Sequence, residues 1–186
     1  MAGATDEEIQ RIGDAVRGAR EYLTAHPDEA AYTDTPATAR LESGLRVSVQ
    51  GPDGTTVVTD MPASVGGGGS APSAGWLMRA AHAACVATLV AMRAADEGLR
   101  LSHLEVTVDS DSDDRGILGA VEEDEVPPGP IRSRVRISLA ADGATEEALH
   151  VIAGWAWRHC PVDDAVRRTV PVTVEVDVAG REFASR

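Results

Sequence analysis

The chain has 186 residues, enough for one domain or one domain with an appended arm. Aromatic residues make up only 3% against 43% hydrophobic, so a core must be built mostly from Ala, Val, Leu and Ile. The net charge of −13 disfavours contact with phosphates, so nucleic acid is not an expected partner; all 17 basic residues are Arg, which excludes lysine chemistry such as a Schiff base.

The N-terminal stretch MAGATDEEIQ is acidic and lacks the basic-then-apolar pattern of a signal peptide, so the expected location is cytoplasmic. Residues 5–26 predict an amphipathic helix. Thr5 and Glu8 have capping-box spacing, and Ile9, Ile12, Val16, Ala19 and Leu23 fall on one stripe. Pro27 stops it, and 27–39 reads as a polar linker. The expected division is therefore 1–39, helix and linker, and 40–186, the main domain. Residues 41–50 and 54–60 predict a hairpin turning at Pro52-Asp53-Gly54, with Leu45, Val47 and Val49 alternating against polar residues. VGGGGSAPS then reads as a flexible loop. It lacks the Lys-Ser/Thr ending of a phosphate-binding loop and the spacing of a dinucleotide fingerprint.

Residues 74–97 predict the longest helix, about 36 Å at 1.5 Å per residue. Met78, Ala81, Cys85, Thr88, Leu89 and Met92 share a face, the many alanines allow a close neighbour, and Gly98 ends the helix. No uninterrupted apolar run reaches the roughly 18 residues of a bilayer span, so no membrane is expected. Residues 101–109 alternate like a strand. The acidic stretch 109–125 has calcium-loop spacing at Asp109, Asp111 and Asp113. Asp114 stands at the glycine position, however, and Ala120 at the twelfth, so a solvated loop is expected. Residues 131–140 alternate Arg132, Arg134 and Arg136 with Ile131, Val135 and Ile137. Thr145, Glu146 and Glu147 open another helix, whose apolar face is Leu149, Ile152, Ala153, Ala156 and Cys160, and Pro161 ends it. A short helix over 162–168, with Arg167 and Arg168 as a surface pair, and a final strand over 170–178 complete the order α-β-β-α-β-β-α-β. This is an α+β class with helices on antiparallel sheet.

The chemistry centres on two thiols, Cys85 and Cys160, which are either a redox pair or two inert core residues. Two cysteines make no disulfide framework, and a reducing compartment disfavours a structural disulfide. A reactive cysteine needs a positive environment to ionise. Cys85 lies about three turns into its helix, beyond the reach of the dipole. Cys160 sits at a helix C-terminus, where the dipole disfavours an anion. Cys85 is therefore the better nucleophile and Cys160 the better resolver. His82, one turn before Cys85, is a candidate activator. His82, Cys85, His159 and Cys160 carry zinc-type ligand atoms, but adjacent residues rarely face one metal, so no metal is expected. Trp76, Trp155 and Trp157 either line an apolar pocket near the thiols or fill the core.

The run GGGGSAPSAGWLMRAAHAACVATLVAMRAADEGL, the strand LSHLEVTVD and HCPVDDAVRRTVPVTVEV resemble the OsmC/Ohr family, the osmotically inducible and organic-hydroperoxide-resistance proteins. The resemblance covers roughly residues 40–180. It implies an intertwined homodimer, with antiparallel sheet from both chains wrapped on two central helices; the N-terminal helix is additional. It also implies a peroxidase of organic hydroperoxides at the dimer interface, with Cys85 peroxidatic and Cys160 resolving. Regeneration would come from an external dithiol, with no cofactor. The chain departs from the family pattern by lacking the usual Arg–Glu pair. The run Pro72-Ser73-Ala74-Gly75-Trp76-Leu77 contains no acid, and TVVTDMPASV contains no arginine. Arg40 and Arg46 are the candidate substitutes for holding a thiolate, and Trp76 is the candidate pocket residue. The alternative is a non-peroxidatic member that binds a small apolar ligand at the dimer interface.

Overall fold

The computed structural model describes residues 4–122 and 125–178. Positions 123 and 124 of the acidic stretch, and 179–186 of the main domain, lie outside the described residues. Helix α1 spans Asp6–Ala25, and its capping box is formed: Thr5 Oγ1 accepts from the Glu8 N–H while the Glu8 carboxylate accepts from the Thr5 N–H. Helix α2 spans Ala74–Asp96, capped by Ser73, whose hydroxyl accepts from the Trp76 N–H. Helix α1 docks on the C-terminal end of α2. A Cβ on Gly13 would come within 2.5 Å of the Ala95 carbonyl oxygen, so only glycine allows this approach. The Asp96 side chain is buried beneath Arg17, Arg20 and Arg93, with Arg20 Nη2 at 2.6 Å.

Strands β1 (Thr38–Ser43), β2 (Arg46–Gln50) and β3 (Thr56–Thr59) form one antiparallel sheet in that order. The expected single strand over 41–50 is thus two strands. Gly44, at φ 57°, makes a two-residue turn with Leu45, a glycine-first geometry suited to hairpin twist. Strand β1 is exposed along its whole length, with Leu41 68% exposed. The glycine run after β3 differs from the expected flexible loop. It winds around Asp60, a buried carboxylate that accepts from the N–H groups of Met61, Gly68 and Ser70 and from the Ser70 hydroxyl. Gly67 sits where a Cβ would overlap the Met61 carbonyl.

The core lies elsewhere. Strands β4 (Leu101–Asp111) and β5 (Arg132–Ala141) form an antiparallel hairpin against α2 and α4 (Glu146–Arg158). The four-residue α3 (Asp114–Ile117) and α5 (Pro161–Arg167) complete the elements. Val86, Val90 and Ala94 of α2 meet Ile152, Ala156 and Cys160, while Leu104, Val106, Val135, Ile137 and Leu139 close the cluster from the hairpin. This is the α+β class expected, with α2 and α4 central.

Two expectations are corrected here. The buried stripe of α2 is His82, Val86, Val90, Ala94 and Ala95, so Cys85 and Leu89 lie on its flank while Met78, Ala81 and Thr88 are exposed. The chosen stripe followed residue size, whereas the hairpin and α4 select the i, i+4 row one position further on. Residues 170–178 form no strand: Val172 is 81% and Val174 78% exposed, and among the described residues none pairs with them in a ladder. Period-two alternation specifies faces, but a strand also needs an edge to pair with. Helix α2 is long and apolar enough by length and composition to cross a membrane. Counting uninterrupted apolar runs missed this because Arg79 and His82 break the run. A core helix passes the same test.

Candidate active site

The two thiols come together where α2 passes the α4–α5 corner. Helix α4 ends at Arg158, with His159 as its C-cap, and Pro161 starts α5 at its first position. Cys160 is therefore the N-cap of α5 rather than the last residue of α4. Its Sγ accepts the Asp163 N–H at 3.4 Å, so the backbone offers a donor where a repelling helix end was expected. Cys160 is 0% exposed, and burial is the main cause pushing its thiol above the ordinary range. The Asp163 N–H opposes that shift, while the neighbouring Cys85 side chain adds to it. Cys85 packs against the core cluster that contains Cys160; both are free thiols, and Cys85 is the more accessible.

His82 is buried, one turn before Cys85 on α2. Its Nε2 lies 3.2 Å from Asp163 Oδ1, off the line of an N–H bond, so the contact is a close approach rather than an aligned hydrogen bond. Asp163 is itself buried, and its Oδ2 accepts from Arg167 Nε. The Arg167 guanidinium lies over the Trp157 ring, 5.1 Å from its centroid. Arg167 and Arg168 are both exposed, as expected of a surface pair, Arg168 holding Asp164 while Arg167 reaches in to the buried Asp163. Beside this group opens a cavity of about 460 Å³, lined by Val135, Ile137, Trp157 and Val166 on its apolar side and by His82, Ser133, Asp163 and Arg167 on its polar side.

The other expected site residues stand apart. Arg40 donates to Gln50, and Arg46 to Glu42 and Ser70; among the described residues neither has a polar partner on α2, α4 or α5. Arg79 of α2 donates to Ser110. Trp76 is half-exposed in the first turn of α2 and does not line the cavity. Trp155 stacks on His159 and packs against the core cluster. The acidic stretch is spent on arginines: Asp109 and Asp111 form a ladder with Arg132, Arg134 and Arg136 across β4 and β5, and Asp113 caps α3 and holds Arg115. These pairs hold the Asp111 and Asp113 carboxyls at about 2.

Asp163 is the site residue that sequence reasoning passed over. Its signal was present. Cys160-Pro161-Val162-Asp163 has the cap, first-turn proline and third-position acid of a helix start, and Asp163 and Arg167 have i, i+4 spacing.

The hairpin laid on two thiol-bearing helices defines a class. The model of the OsmC-like protein family matches residues 67–175. That is more than half of the chain, and the chain belongs to this family. Helix α1 and strands β1–β3 lie before the matched region. Among solved structures, an OsmC-like protein from Mycoplasma pneumoniae superposes with a TM-score of 0.61 at 12% identity, over 74% of this chain and 89% of that one. An organic hydroperoxide resistance protein OsmC from Legionella pneumophila gives 0.53 at 23% identity, over 74% and 91%. An OsmC-like protein from Vibrio cholerae gives 0.59 at 8% identity, over 72% and 94%. These likenesses establish the shared fold. No curated protein sequence matches the chain.

Proposed function

We propose that this OsmC-like protein is a thiol-dependent peroxidase acting on organic hydroperoxides, with Cys85 attacking and Cys160 resolving. The observation that carries this reading is the packing of a half-buried Cys85 against the core cluster that holds the fully buried Cys160. The Cys85 thiolate attacks the terminal peroxide oxygen, the O–O bond breaks and the alcohol departs with a proton, leaving a sulfenic acid. The Cys160 sulfur then attacks the Cys85 sulfur. The S–S bond forms, the S–O bond breaks and water leaves. An external dithiol reduces the disulfide, and no metal or organic cofactor takes part.

The working unit is a homodimer. Support comes from the uncovered β1–β3 sheet, the exposed valine face of 170–178 and the exposed apolar side of α2. The cation that activates Cys85 then comes from a second copy, with Arg40 and Arg46 as candidates.

The test is consumption of cumene or tert-butyl hydroperoxide in the presence of a dithiol. Cys85→Ser is expected to be inactive, and Cys160→Ser to stop after one equivalent with a trappable sulfenic acid. Wild type no faster than Cys85→Ser sinks the reading. One observation favours a second reading, a non-peroxidatic member holding a small apolar ligand: neither sulfur lines the 460 Å³ cavity. Saturable binding of an apolar probe without peroxide turnover would select it.

A further inference from the structure

We infer that Asp163 is the positioning residue of the thiol pair, holding the Cys160 sulfur and the Cys85-bearing helix in place for disulfide closure. Its place in a catalytic cycle rests on the peroxidase reading; the contacts themselves do not. Asp163 acts on both cysteines' supports at once. Its backbone N–H donates to Cys160 Sγ at 3.4 Å. Its carboxylate approaches His82 Nε2 to 3.2 Å, one turn before Cys85 on α2. The same carboxylate accepts from Arg167, whose guanidinium covers Trp157 of α4. One side chain therefore ties α2, α4 and α5 around the sulfurs.

Asp163 and His82 are each only 4% exposed. A carboxylate and an imidazole withdrawn from water this far lose hydration that only specific partners replace. Apolar residues would fill the same corner without that cost, so the polar pair fixes a geometry rather than merely filling space. Closure needs such a geometry: the sulfurs must reach about 2.05 Å with a defined torsion. In that step the Cys160 sulfur displaces hydroxide from the Cys85 sulfenic acid. The thiol proton leaves with it as water, and no further oxidant enters. Small misplacements of reacting atoms cost large factors in rate.

The experiment uses the full chain with Asp163→Asn, His82→Gln and the conservative Asp163→Glu, each measured well below its melting transition. Equilibration against reduced and oxidised glutathione gives the effective concentration of the Cys85–Cys160 pair without any peroxide. Asp163→Asn is expected to lower it on the order of tenfold, His82→Gln to lower it less, and Asp163→Glu to recover part of it. In parallel, one equivalent of cumene hydroperoxide with dimedone reads how long the Cys85 sulfenic acid persists. Asp163→Asn is expected to slow closure more than it slows Cys85 oxidation. Wild-type effective concentrations in both Asp163→Asn and His82→Gln would overturn the inference. If wild-type Cys85 is not oxidised by the hydroperoxide, the peroxidase reading fails, and the glutathione equilibrium still decides the role of Asp163.

Discussion

The helical thiol core and the β1–β3 sheet are held by different means. The core buries Val86, Val90, Ile152, Ala156 and Cys160 in one cluster closed by the β4–β5 hairpin. The sheet has no such face: β1 is exposed throughout, and its strands pack broadly only on each other. What orders the sheet's exit is polar, the Asp60 carboxylate inside the glycine turn and Arg46 on Ser70. A three-stranded sheet normally needs a packed apolar face to hold. The core thus buries its apolar face within one chain, while the sheet leaves its own surface open.

Several substitutions break or sharpen this contrast. Ile152→Ala, at a site 2% exposed, should cost about 2–5 kcal/mol in denaturant unfolding whatever the protein concentration. A cost under about 1 kcal/mol would mean the cluster is not the core. Gly13→Ala should cost about 1–3 kcal/mol, because its Cβ meets the Ala95 carbonyl at 2.5 Å and α1 must shift. An unaltered melting temperature would show that α1 contributes nothing to the fold.

Asp60→Asn tests the sheet's polar anchor through pH. The Ser70 and neighbouring donors hold the Asp60 carboxyl at about 2, below its ordinary 3.8. A depressed carboxyl stabilises the fold above the unfolded value, and that stability fades as pH falls through the folded one. Wild type should therefore melt above Asp60→Asn at neutral pH, with the gap closing between about pH 4 and about pH 2. A gap independent of pH would remove the charge from the explanation.

The smallest effect is expected at Leu41→Ala, within about 0.5 kcal/mol in a dilute single chain. In a homodimer that covers β1 the cost should grow with protein concentration, because association adds to apparent stability. A cost equal to that of Ile152→Ala at all concentrations would erase the contrast between the two regions.

Much of the fold was legible because the signals were local. The Thr5–Glu8 capping box gave the start of α1, and alternation gave β4 and β5 to within two residues. The turn at Gly44 was missed although Ser43-Gly44 is a turn signal, because the alternation of Leu45, Val47 and Val49 was carried back through it. The glycine loop was misjudged because its order comes from Asp60, up to ten residues away from the groups it holds. At the site, Cys85 and Cys160 could be named from the chain, but their shared cluster joins α2 to the α4–α5 corner. Asp163 went unnoticed because an acid after a proline reads as a helix start until its burial is known.

The sequence by itself determined helices α2 and α4, the inward and outward faces of β4 and β5 and the family, since periodicity, caps and motif spacing are written along the chain. Only the tertiary structure decided which row of α2 is buried, that Cys160 caps α5 under an N–H donor, and that His82, Asp163 and Arg167 share one corner. Those outcomes depend on desolvation and on distances between elements far apart in the chain. No local pattern encodes them.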